Sequence, residues 1–369
     1  MNRRHNKYSI FAFTIVLILL VSLIFGVGVV GYANPQPART SSDQTSTAAY
    51  WPTQGWRTST PEEQGMDSQK LTLMLETVKQ QKLNLHSLLV IRNGYIVSET
   101  YYQFYTAQTR HELYSCTKSF IATLVGIASD KGSLDRLNHP VLDFFPERAV
   151  ENRDARKEAM TVDDLLTMRS GLDWQEGDPI YRAMYLSSDW VKFVLDKPMK
   201  AQPGSQFNYC SGCSHILSAI IQQQTGMNTQ DFAQQQLFAP LGIASLNWGC
   251  DSQGIPIGGW GLQITPRDMA KLGYLYLHNG MWDGQQIVSP EWIKTVTQKH
   301  TATDGKLGYG YQWWIYPSFR AYTAMGRAGQ TIFVIPDLNL IIVTTADVGG
   351  HDEIFRLIEE YIAPAVQKP

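Results

Sequence analysis

The sequence predicts an α+β protein in which an antiparallel sheet is flanked by an N-terminal and a C-terminal helix and joins a mostly helical second lobe. The chain has 369 residues, enough for one large domain or two modest ones. Two β-rich runs lie near its start and four lie near its end, and sequentially adjacent strands favour antiparallel pairing. From about 133 to 264 helical segments alternate with loops, which indicates the second lobe.

The first predicted elements are a helix and a hairpin. The segment "MDSQKLTLMLETVKQQKL" has an apolar helical face and begins with Asp67 and Ser68, each a candidate N-cap. The segment "HSLLVIRNGYIVSETYY" contains two β-rich runs joined by Asn93-Gly94, a strong signal for a tight hairpin. A strongly apolar helix follows, which includes Ser115 and ends at Gly132.

The second lobe and the late strands complete the prediction. Four helical segments open with a Ser or Thr as candidate cap: "TVDDLLTM", "SDWVKFVLD", "SHILSAIIQQQTG" and "TQDFAQQQLFAPLG". Another helix is capped by Thr265 with Pro266 at its first position. The late strands are "GYGYQWWIY", "AYTAMG", "TIFVIP" and "LIIVTTA", and the last two are joined by a turn at 337–339. An amphipathic helix, "HDEIFRLIEEYIAPAV", closes the chain.

These elements predict where a cleft forms. We expect the two terminal helices to cover one face of the sheet, with the helical lobe beside it. Clefts tend to form where two such lobes meet. The start of the helix that carries Ser115 is expected near that junction.

Composition limits the possible partners. Hydrophobic residues make up 44% of the chain and aromatic residues 11%, so a sizeable core is available. Charged residues make up only 17%, the formal net charge is −2, and the chain has no basic stripe or run. Nucleic acid is therefore not an expected partner.

The N-terminus indicates export. A basic start, "MNRRHNK", is followed by a long uncharged apolar run, and Gly31-Tyr32-Ala33 matches a small-x-small cleavage site. Residues 1–33 are thus predicted to be a signal peptide or, because the run is long enough to cross a bilayer, an uncleaved membrane anchor. Residues 34–55 are predicted to be a linker, and 56–369 the folded domain. The domain is expected outside the cytoplasm, secreted or anchored to the outer face of the membrane.

The four cysteines are expected to be structural. Cys116, Cys210, Cys213 and Cys250 allow three disulfide connectivities in an oxidising compartment. The Cys210–Cys213 spacing is that of thiol-redox motifs, but no thioredoxin-like pattern surrounds it. A zinc site there would need two more ligands, and His215 alone does not supply them. No metal or cofactor is predicted.

Ser115 and Lys118 are the first candidate catalytic pair. Residues three apart share a face of a helix, so the two side chains are expected side by side. A serine hydroxyl is a weak nucleophile that needs a base, and a lysine can be that base if burial or positive charge lowers its pKa. The N-terminus of a helix adds free backbone N–H groups that can polarise an attacked carbonyl.

Two further motifs extend this pair. Tyr209 and Ser211 stand immediately before another apolar helix, and Arg327-Ala328-Gly329 lies between two late strands. With Ser115 and Lys118, this arrangement resembles the serine β-lactamase and penicillin-binding protein superfamily. It is most similar to the branch of class C β-lactamases, serine esterases, D-amino-acid peptidases and 6-aminohexanoate-oligomer hydrolases. The resemblance runs from about residue 56 to the end of the chain.

The resemblance implies roles for three catalytic residues. Ser115 is the nucleophile that forms an acyl-enzyme, and Lys118 takes or relays its proton. Tyr209 is a second proton-transfer group, hydrogen-bonded to both. Which of Lys118 and Tyr209 is the base in acylation is disputed across such enzymes, and both stay open at this point.

The resemblance also implies substrate contacts. The backbone N–H groups of Ser115 and Gln330 would form the oxyanion hole, and Gly329 would let the strand approach the substrate. Arg327 is expected to pair with a substrate carboxylate or to order its strand through a salt bridge. Ser211 is expected either to contact the substrate or only to cap its helix.

Departures from the family pattern limit the range of expected substrates. Ser211 stands where the family often has asparagine, and Ala328 lacks the hydroxyl that helps lactamases hold the drug's carboxylate. Both argue against efficient β-lactam turnover and favour an ester, a short peptide or another amide. Trp174 and Glu176, which follow "SGLD", are either pocket-lining residues or a core tryptophan and a surface glutamate, and the second alternative is favoured. His111, His215 and His278 have no visible partners and are assigned to structure.

We therefore expect an exported serine hydrolase that cleaves a small-molecule ester or amide through an acyl-Ser115 intermediate. One alternative is a D,D-peptidase-like enzyme that acts on cell-wall peptides. Another is a penicillin-recognising sensor or binding protein that is acylated but does not turn over.

Overall fold

The computed structural model describes residues 50–367. The predicted signal peptide or anchor, 1–33, and residues 34–49 of the predicted linker lie outside the described residues. The described end of that linker already contacts the domain, because the Trp51 ring packs against the rings of Tyr274, His278 and Trp282. None of the helices described is both long enough and apolar enough to cross a membrane.

A nine-stranded sheet forms the centre of the domain. Its strands are β1 (Arg57–Thr58), β2 (Leu85–Arg92), β3 (Tyr95–Tyr101), β9 (Thr301–Ala302), β10 (Gly308–Tyr309), β11 (Trp314–Tyr316), β12 (Ala321–Gly326), β13 (Gln330–Ile335) and β14 (Leu340–Ala346). Five short strands lie between β3 and β9 in the chain and are not part of this sheet: β4 (His111–Glu112), β5 (Asn247–Trp248), β6 (Leu262–Ile264), β7 (Met281–Trp282) and β8 (Gln285–Gln286). The spatial order is β1-β3-β2-β14-β13-β12-β11-β10-β9. All neighbours pair antiparallel except β1 and β3, which are parallel.

The five short strands form two small sheets. They are ordered β4-β6-β5 and β7-β8. The β4-β6-β5 sheet positions the predicted nucleophile, because β4 leads directly into Ser115. Strand β6 pairs with β4 in the register His111↔Ile264 and Glu112↔Gln263.

The helices follow the predicted distribution. They are α1 (Ser68–Gln80), α2 (Thr117–Asp130), α3 (Ala155–Glu158), α4 (Val162–Leu166), α5 (Asp178–Tyr185), α6 (Trp190–Leu195), α7 (Ser211–Thr225), α8 (Thr229–Ala233), α9 (Pro266–Leu277), α10 (Pro290–Val296), α11 (Asp352–Leu357) and α12 (Ala363–Ala365). Two π-helical turns, Gln234–Phe238 and Ile358–Ile362, follow α8 and α11.

The sheet separates two hydrophobic layers. On one face, α1 and α11 pack against alternate residues of the central strands, including Leu88, Val90 and Ile342. On the other face, Leu89, Ile91 and their neighbours pack against α2, α9 and the helical lobe. Alternation is the rule for a strand, so β2 can supply both layers. The predicted α+β architecture is confirmed.

Local sequence signals explain most element boundaries. Asp67 caps α1 through its carboxylate, and Thr161 with Asp164 forms a capping box on α4. Asn93 adopts φ 52° and Gly94 φ 81°, as the tight turn between β2 and β3 requires. Thr265 caps α9, with Pro266 at its first position.

Three predicted caps in the helical lobe are wrong. Asp189 rather than a serine caps α6, Cys210 caps α7, and Asn228 caps α8. For α6 the acceptor is on the residue after the predicted serine, whereas for α7 and α8 it is on a residue before the predicted Ser or Thr. For α7 the shift has a functional consequence, since it leaves the Ser211 side chain free for other contacts.

Candidate active site

The predicted nucleophile lies in a short turn and not inside a helix. Residues Tyr114–Cys116 form a 3₁₀ turn, and α2 begins at Thr117. The carboxylate of Glu112 accepts from the backbone N–H of Tyr114 at 3.1 Å and from that of Gly261 at 2.7 Å. The turn is therefore held against the loop before β6, and the Ser115 side chain stays half-buried and within reach of solvent.

The end of the β12–β13 hairpin packs against this turn. The sulfur of Cys116 lies 3.4 Å from the carbonyl oxygen of Gln330. A Cβ on Gly326 would lie 2.1 Å from the carbonyl oxygen of Leu113, closer than any real contact. Glycine at 326 thus lets the hairpin and the nucleophile turn approach each other.

Lys118 is buried beside Ser115 with three hydrogen-bond acceptors. Its Nζ donates to Ser115 Oγ at 2.9 Å, to Ser211 Oγ at 2.9 Å and to the carbonyl oxygen of Gly259 at 2.8 Å. Burial lowers the Lys118 pKa to about 8, although the charges of Glu176 and Cys116 oppose that shift. A lysine with this pKa has an accessible neutral form near physiological pH.

Tyr209 completes the cluster. Its ring centroid lies 4.8 Å from Lys118 Nζ and stacks on Trp314 at 5.6 Å. Burial raises the pKa of the Tyr209 phenol well above its ordinary value, although a hydrogen bond with the Ser115 side chain opposes the rise. The phenol is therefore protonated at neutral pH. The structure brings Ser115, Lys118 and Tyr209 together, as the sequence predicted.

Ser211 is part of this network and does not cap its helix. It is the first residue of α7, and the cap is Cys210, whose sulfur accepts from the Cys213 N–H at 3.0 Å. The sulfurs of Cys210 and Cys213 are paired as a disulfide, while Cys116 and Cys250 are free. With its hydroxyl free of capping, Ser211 contacts Lys118 on one side and Glu176 on the other.

Glu176 lies in the site, which is the alternative that the sequence favoured less. The residue is exposed, as predicted, but its Oε2 accepts from Trp174 Nε1 at 2.5 Å and from the Ser211 N–H at 3.1 Å. Its Oε1 accepts from the hydroxyls of Ser211 and Tyr181. One signal was present: a buried tryptophan needs an acceptor for its indole N–H, and Asp173 and Glu176 are the two carboxylates close to Trp174 in sequence.

The turn between β12 and β13 is stabilised by hydrogen bonds of the Gln330 side chain. Gln330 Nε2 donates to the carbonyl oxygens of Arg327 and Ala346, both at 2.9 Å, and its Oε1 accepts from the Ala346 N–H at 3.0 Å. Gly329 has φ 93°, and a Cβ there would meet Val348 Cγ2 at 2.7 Å. The missing side chain thus makes room for the protein itself rather than for a substrate.

Arg327 is exposed at the tip of the same turn. Within residues 50–367 its guanidinium makes no ion pair, so the predicted alternative of a strand-ordering salt bridge is wrong. An unpaired guanidinium next to the nucleophile turn remains available to an anionic group.

Aromatic rings lie on two sides of the catalytic cluster. Near Glu176, the Tyr181 ring contacts Trp260 edge-on at 5.0 Å, and Trp260 Nε1 donates to the Tyr185 hydroxyl at 3.0 Å. Near Tyr209, Trp314 contacts Tyr309 edge-on at 5.0 Å. Trp260 directly follows Gly259, which accepts from Lys118. The polar cluster is therefore flanked by aromatic rings.

The three histidines do have partners. His215 Nε2 lies 3.0 Å from the Asp251 carboxylate, and both side chains are fully buried. His111 stacks on His86 at 5.2 Å, and His278 Nδ1 lies 2.9 Å from the Tyr274 carbonyl oxygen. These are structural contacts away from Ser115. Within residues 50–367, no group of three or more His, Cys, Asp and Glu side chains is arranged to hold a metal ion.

Comparison with known proteins agrees with this geometry. Residues 69–367 match the family model described as beta-lactamase. The chain is 26% identical over 283 residues to the 6-aminohexanoate-dimer hydrolase of Paenarthrobacter ureafaciens, covering 70% of this chain and 71% of that one.

Solved structures show the same fold. An octameric penicillin-binding protein homologue from Pyrococcus abyssi superimposes with TM-score 0.64 at 20% identity, covering 81% of this chain and 78% of that one. A family VIII carboxylesterase superimposes with TM-score 0.65 at 17% identity, covering 83% and 98%. With the match of the family model over most of the folded part and the Ser115–Lys118–Tyr209 cluster at its centre, the chain belongs to the β-lactamase family of serine hydrolases.

Proposed function

We propose that this protein is an exported serine hydrolase that cleaves an ester or an amide through an acyl-Ser115 intermediate. The observation that carries the proposal is the position of Lys118. Its buried amine is 2.9 Å from Ser115 Oγ and has a lowered pKa. A half-buried hydroxyl with a neutral amine beside it is an activated nucleophile.

In acylation, Lys118 is the better base. At neutral pH roughly one lysine in ten with a pKa near 8 is neutral, whereas a phenol with a raised pKa is almost entirely protonated. The Ser115 proton passes to the Lys118 lone pair as Oγ bonds to the substrate carbonyl carbon. The backbone N–H groups of Ser115 and Gln330 are the proposed donors to the oxyanion.

Tyr209 is the proposed donor to the leaving group. Its protonated phenol is hydrogen-bonded to Ser115, next to the bond that breaks when the tetrahedral intermediate collapses. The Lys118 ammonium lies over the phenol ring, where its charge stabilises the phenolate that remains when Tyr209 gives up its proton. In deacylation, water attacks the acyl carbon and gives a proton to the Tyr209 phenolate. The Lys118 ammonium returns its proton to Ser115 Oγ as the acyl group leaves.

The proposed substrate is a small ester or a linear amide with an apolar body. The aromatic rings beside the cluster favour an apolar chain, and the unpaired Arg327 can receive a carboxylate. The relative from Paenarthrobacter acts on the 6-aminohexanoate dimer, which is such an amide. Ser211 and Ala328, in place of groups that assist β-lactam recognition, support the choice of a linear substrate over a β-lactam.

For location, we propose a site outside the cytoplasm, secreted or held on the outer face of the membrane. The support is the basic and then apolar sequence of residues 1–33. Cell fractionation with N-terminal sequencing tests it. A mature protein that starts after Ala33 indicates secretion, an intact terminus in the membrane fraction indicates an anchor, and recovery from the cytoplasm contradicts the proposal.

The activity is tested with a fluorophosphonate probe and three substrates: p-nitrophenyl esters, the 6-aminohexanoate dimer and a chromogenic cephalosporin. We expect labelling and turnover of an ester or of the dimer, and loss of both in Ser115→Ala. Ser129→Ala on the same helix is the matched control. Labelling that survives Ser115→Ala contradicts the proposal, and labelling without turnover of any substrate favours the sensor.

A further inference from the structure

The hydrogen bonds around Ser211 have a fixed direction. Lys118 Nζ donates to Ser211 Oγ at 2.9 Å, and the Ser211 hydroxyl donates to Oε1 of Glu176. A serine hydroxyl has a single hydrogen. Because that hydrogen is directed at Glu176, Ser211 faces Lys118 as an acceptor only.

The carboxylate of Glu176 is itself held by four donors. Oε2 accepts from Trp174 Nε1 at 2.5 Å and from the Ser211 N–H at 3.1 Å, and neither of these N–H groups can turn into an acceptor. Oε1 accepts from two hydroxyls, those of Ser211 and Tyr181, which can rotate. The two oxygens of Glu176 therefore have chemically different surroundings.

This arrangement determines where the lone pair of neutral Lys118 points. A neutral amine has two N–H bonds and one lone pair. The carbonyl oxygen of Gly259, at 2.8 Å, can only accept, and Ser211 is restricted to accepting by Glu176. Both N–H bonds are thus used, and the lone pair faces the third neighbour, Ser115 Oγ at 2.9 Å.

We propose that Glu176 is a positioning residue for acylation: by holding the Ser211 hydroxyl, it directs the lone pair of Lys118 at Ser115. The inference rests on the proposed function, since it requires acyl transfer at Ser115. In the step itself, the Ser115 proton moves to the amine as Oγ bonds to the carbonyl carbon. The resulting ammonium has three N–H bonds for its three acceptors.

The substitution Glu176→Gln tests the direction of these bonds. The amide oxygen of the glutamine must replace Oε2, because Trp174 and the Ser211 N–H can only donate. The amide nitrogen then replaces Oε1 and donates to Ser211 Oγ. This frees the Ser211 hydroxyl hydrogen to bond the Lys118 lone pair, which turns the base away from Ser115.

Two changes in the pH profile of kcat/KM are expected for Glu176→Gln. The plateau falls by at least about tenfold, part of the roughly 10²–10⁴-fold that a positioned base supplies. The acid limb moves to lower pH, because the charge of Glu176 raises the Lys118 pKa and its removal lowers it. Cys116, Tyr209 and, through Ser211, Tyr181 also face Lys118, and they are unchanged in this variant.

A double-mutant cycle separates this role from a structural one. If Glu176 acts through Ser211, then Glu176→Gln lowers the plateau no further in a Ser211→Ala background. The matched control is Asp173→Asn, the same loss of charge at an exposed residue of the same loop, whose carboxylate lies 3.8 Å from Lys200. It should keep the wild-type plateau. Thermal melts of all variants check folding.

Four results would overturn the inference. The first is a Glu176→Gln plateau of kcat/KM within about twofold of wild type, and the second is a double variant whose loss of kcat/KM is the product of the losses of Glu176→Gln and Ser211→Ala. The third is a lower plateau with an acid limb at the wild-type pH. The fourth is a rise in KM at constant kcat. The last would mean that Glu176 contacts the substrate from the cavity of about 600 Å³ that it lines with Pro179 and Ile180. Activity in Ser115→Ala would instead overturn the proposed function.

Discussion

At the scale of single residues, protonation of Lys118 controls the rate. Burial lowers its pKa to about 8, and only the neutral amine can take the Ser115 proton. We therefore expect kcat/KM and the rate of probe labelling to rise with pH, with a midpoint near 8, and to level off above it. A rate that falls between pH 7 and 9 would contradict Lys118 as the base. Lys118→Arg, which cannot lose its proton, should be inactive across this range.

Tyr209 is expected to matter through its hydroxyl and not through its ring. Tyr209→Phe keeps the stacking on Trp314 but loses the hydrogen bond to Ser115. We expect turnover to fall by roughly 10²–10⁴-fold with a near wild-type melting temperature. Tyr361→Phe, which removes a hydroxyl bonded to Thr77 on the far side of the sheet, is the matched control. Equal activity of the two variants would remove Tyr209 from proton transfer.

Single residues also show what a sequence can reveal about a site. Ser115, Lys118 and Tyr209 could be predicted because each belongs to a short motif with its own chemistry. The contacts of Glu176 could not, since they depend on Trp174 and the start of α7 meeting in space. Its exposure was predicted well, but exposure describes the residue as a whole and not the direction of its carboxylate.

At the scale of elements, the site depends on contact between the nucleophile turn and the β12–β13 hairpin. Gly326→Ala would place a Cβ 2.1 Å from the Leu113 carbonyl oxygen, so one of the two segments must move. Overpacking of this kind costs about 1–3 kcal/mol. We expect a lower melting temperature together with slower probe labelling. Gly349→Ala, where a Cβ meets nothing within 4 Å, is the control and should match wild type.

The start of α7 provides a second prediction at this scale. Cys210 and Cys213 are paired, Cys116 is fully buried, and Cys250 is exposed. Burial also raises the pKa of the Cys116 thiol, which slows its reaction further. Thiol counting on protein purified without reductant should give one fast thiol in the native state and two after denaturation. Four free thiols in the denatured protein would exclude the disulfide.

Element boundaries could be predicted where the signal is local. The Asn93-Gly94 turn, the Asp67 cap and the Thr265 cap depend on residues within one turn of the boundary, and the structure confirms all three. The start of α2 differs, because Ser115 and Cys116 belong to a 3₁₀ turn held by Glu112 and by the loop before β6. Those partners are long-range, so no local pattern contains them.

At the scale of the whole molecule, the architecture followed from the order of the elements. Antiparallel neighbours, terminal helices on one face and a helical lobe on the other could each be predicted from adjacency and periodicity. The parallel pairing of β1 with β3 could not, since a two-residue strand carries no pattern. The convergence of three distant motifs at the junction of sheet and lobe required the family resemblance, because only a known fold relates their positions.

The proposed function depends on one covalent bond, formed transiently between Ser115 and the acyl group of the substrate. Its most direct test is intact-mass and peptide-mapping analysis of enzyme that is acid-quenched during turnover of a p-nitrophenyl ester. We predict an adduct with the mass of the acyl group, on the peptide that contains Ser115, which disappears as the ester is exhausted. Turnover with no adduct on that peptide, or equal turnover by Ser115→Ala, would contradict the account.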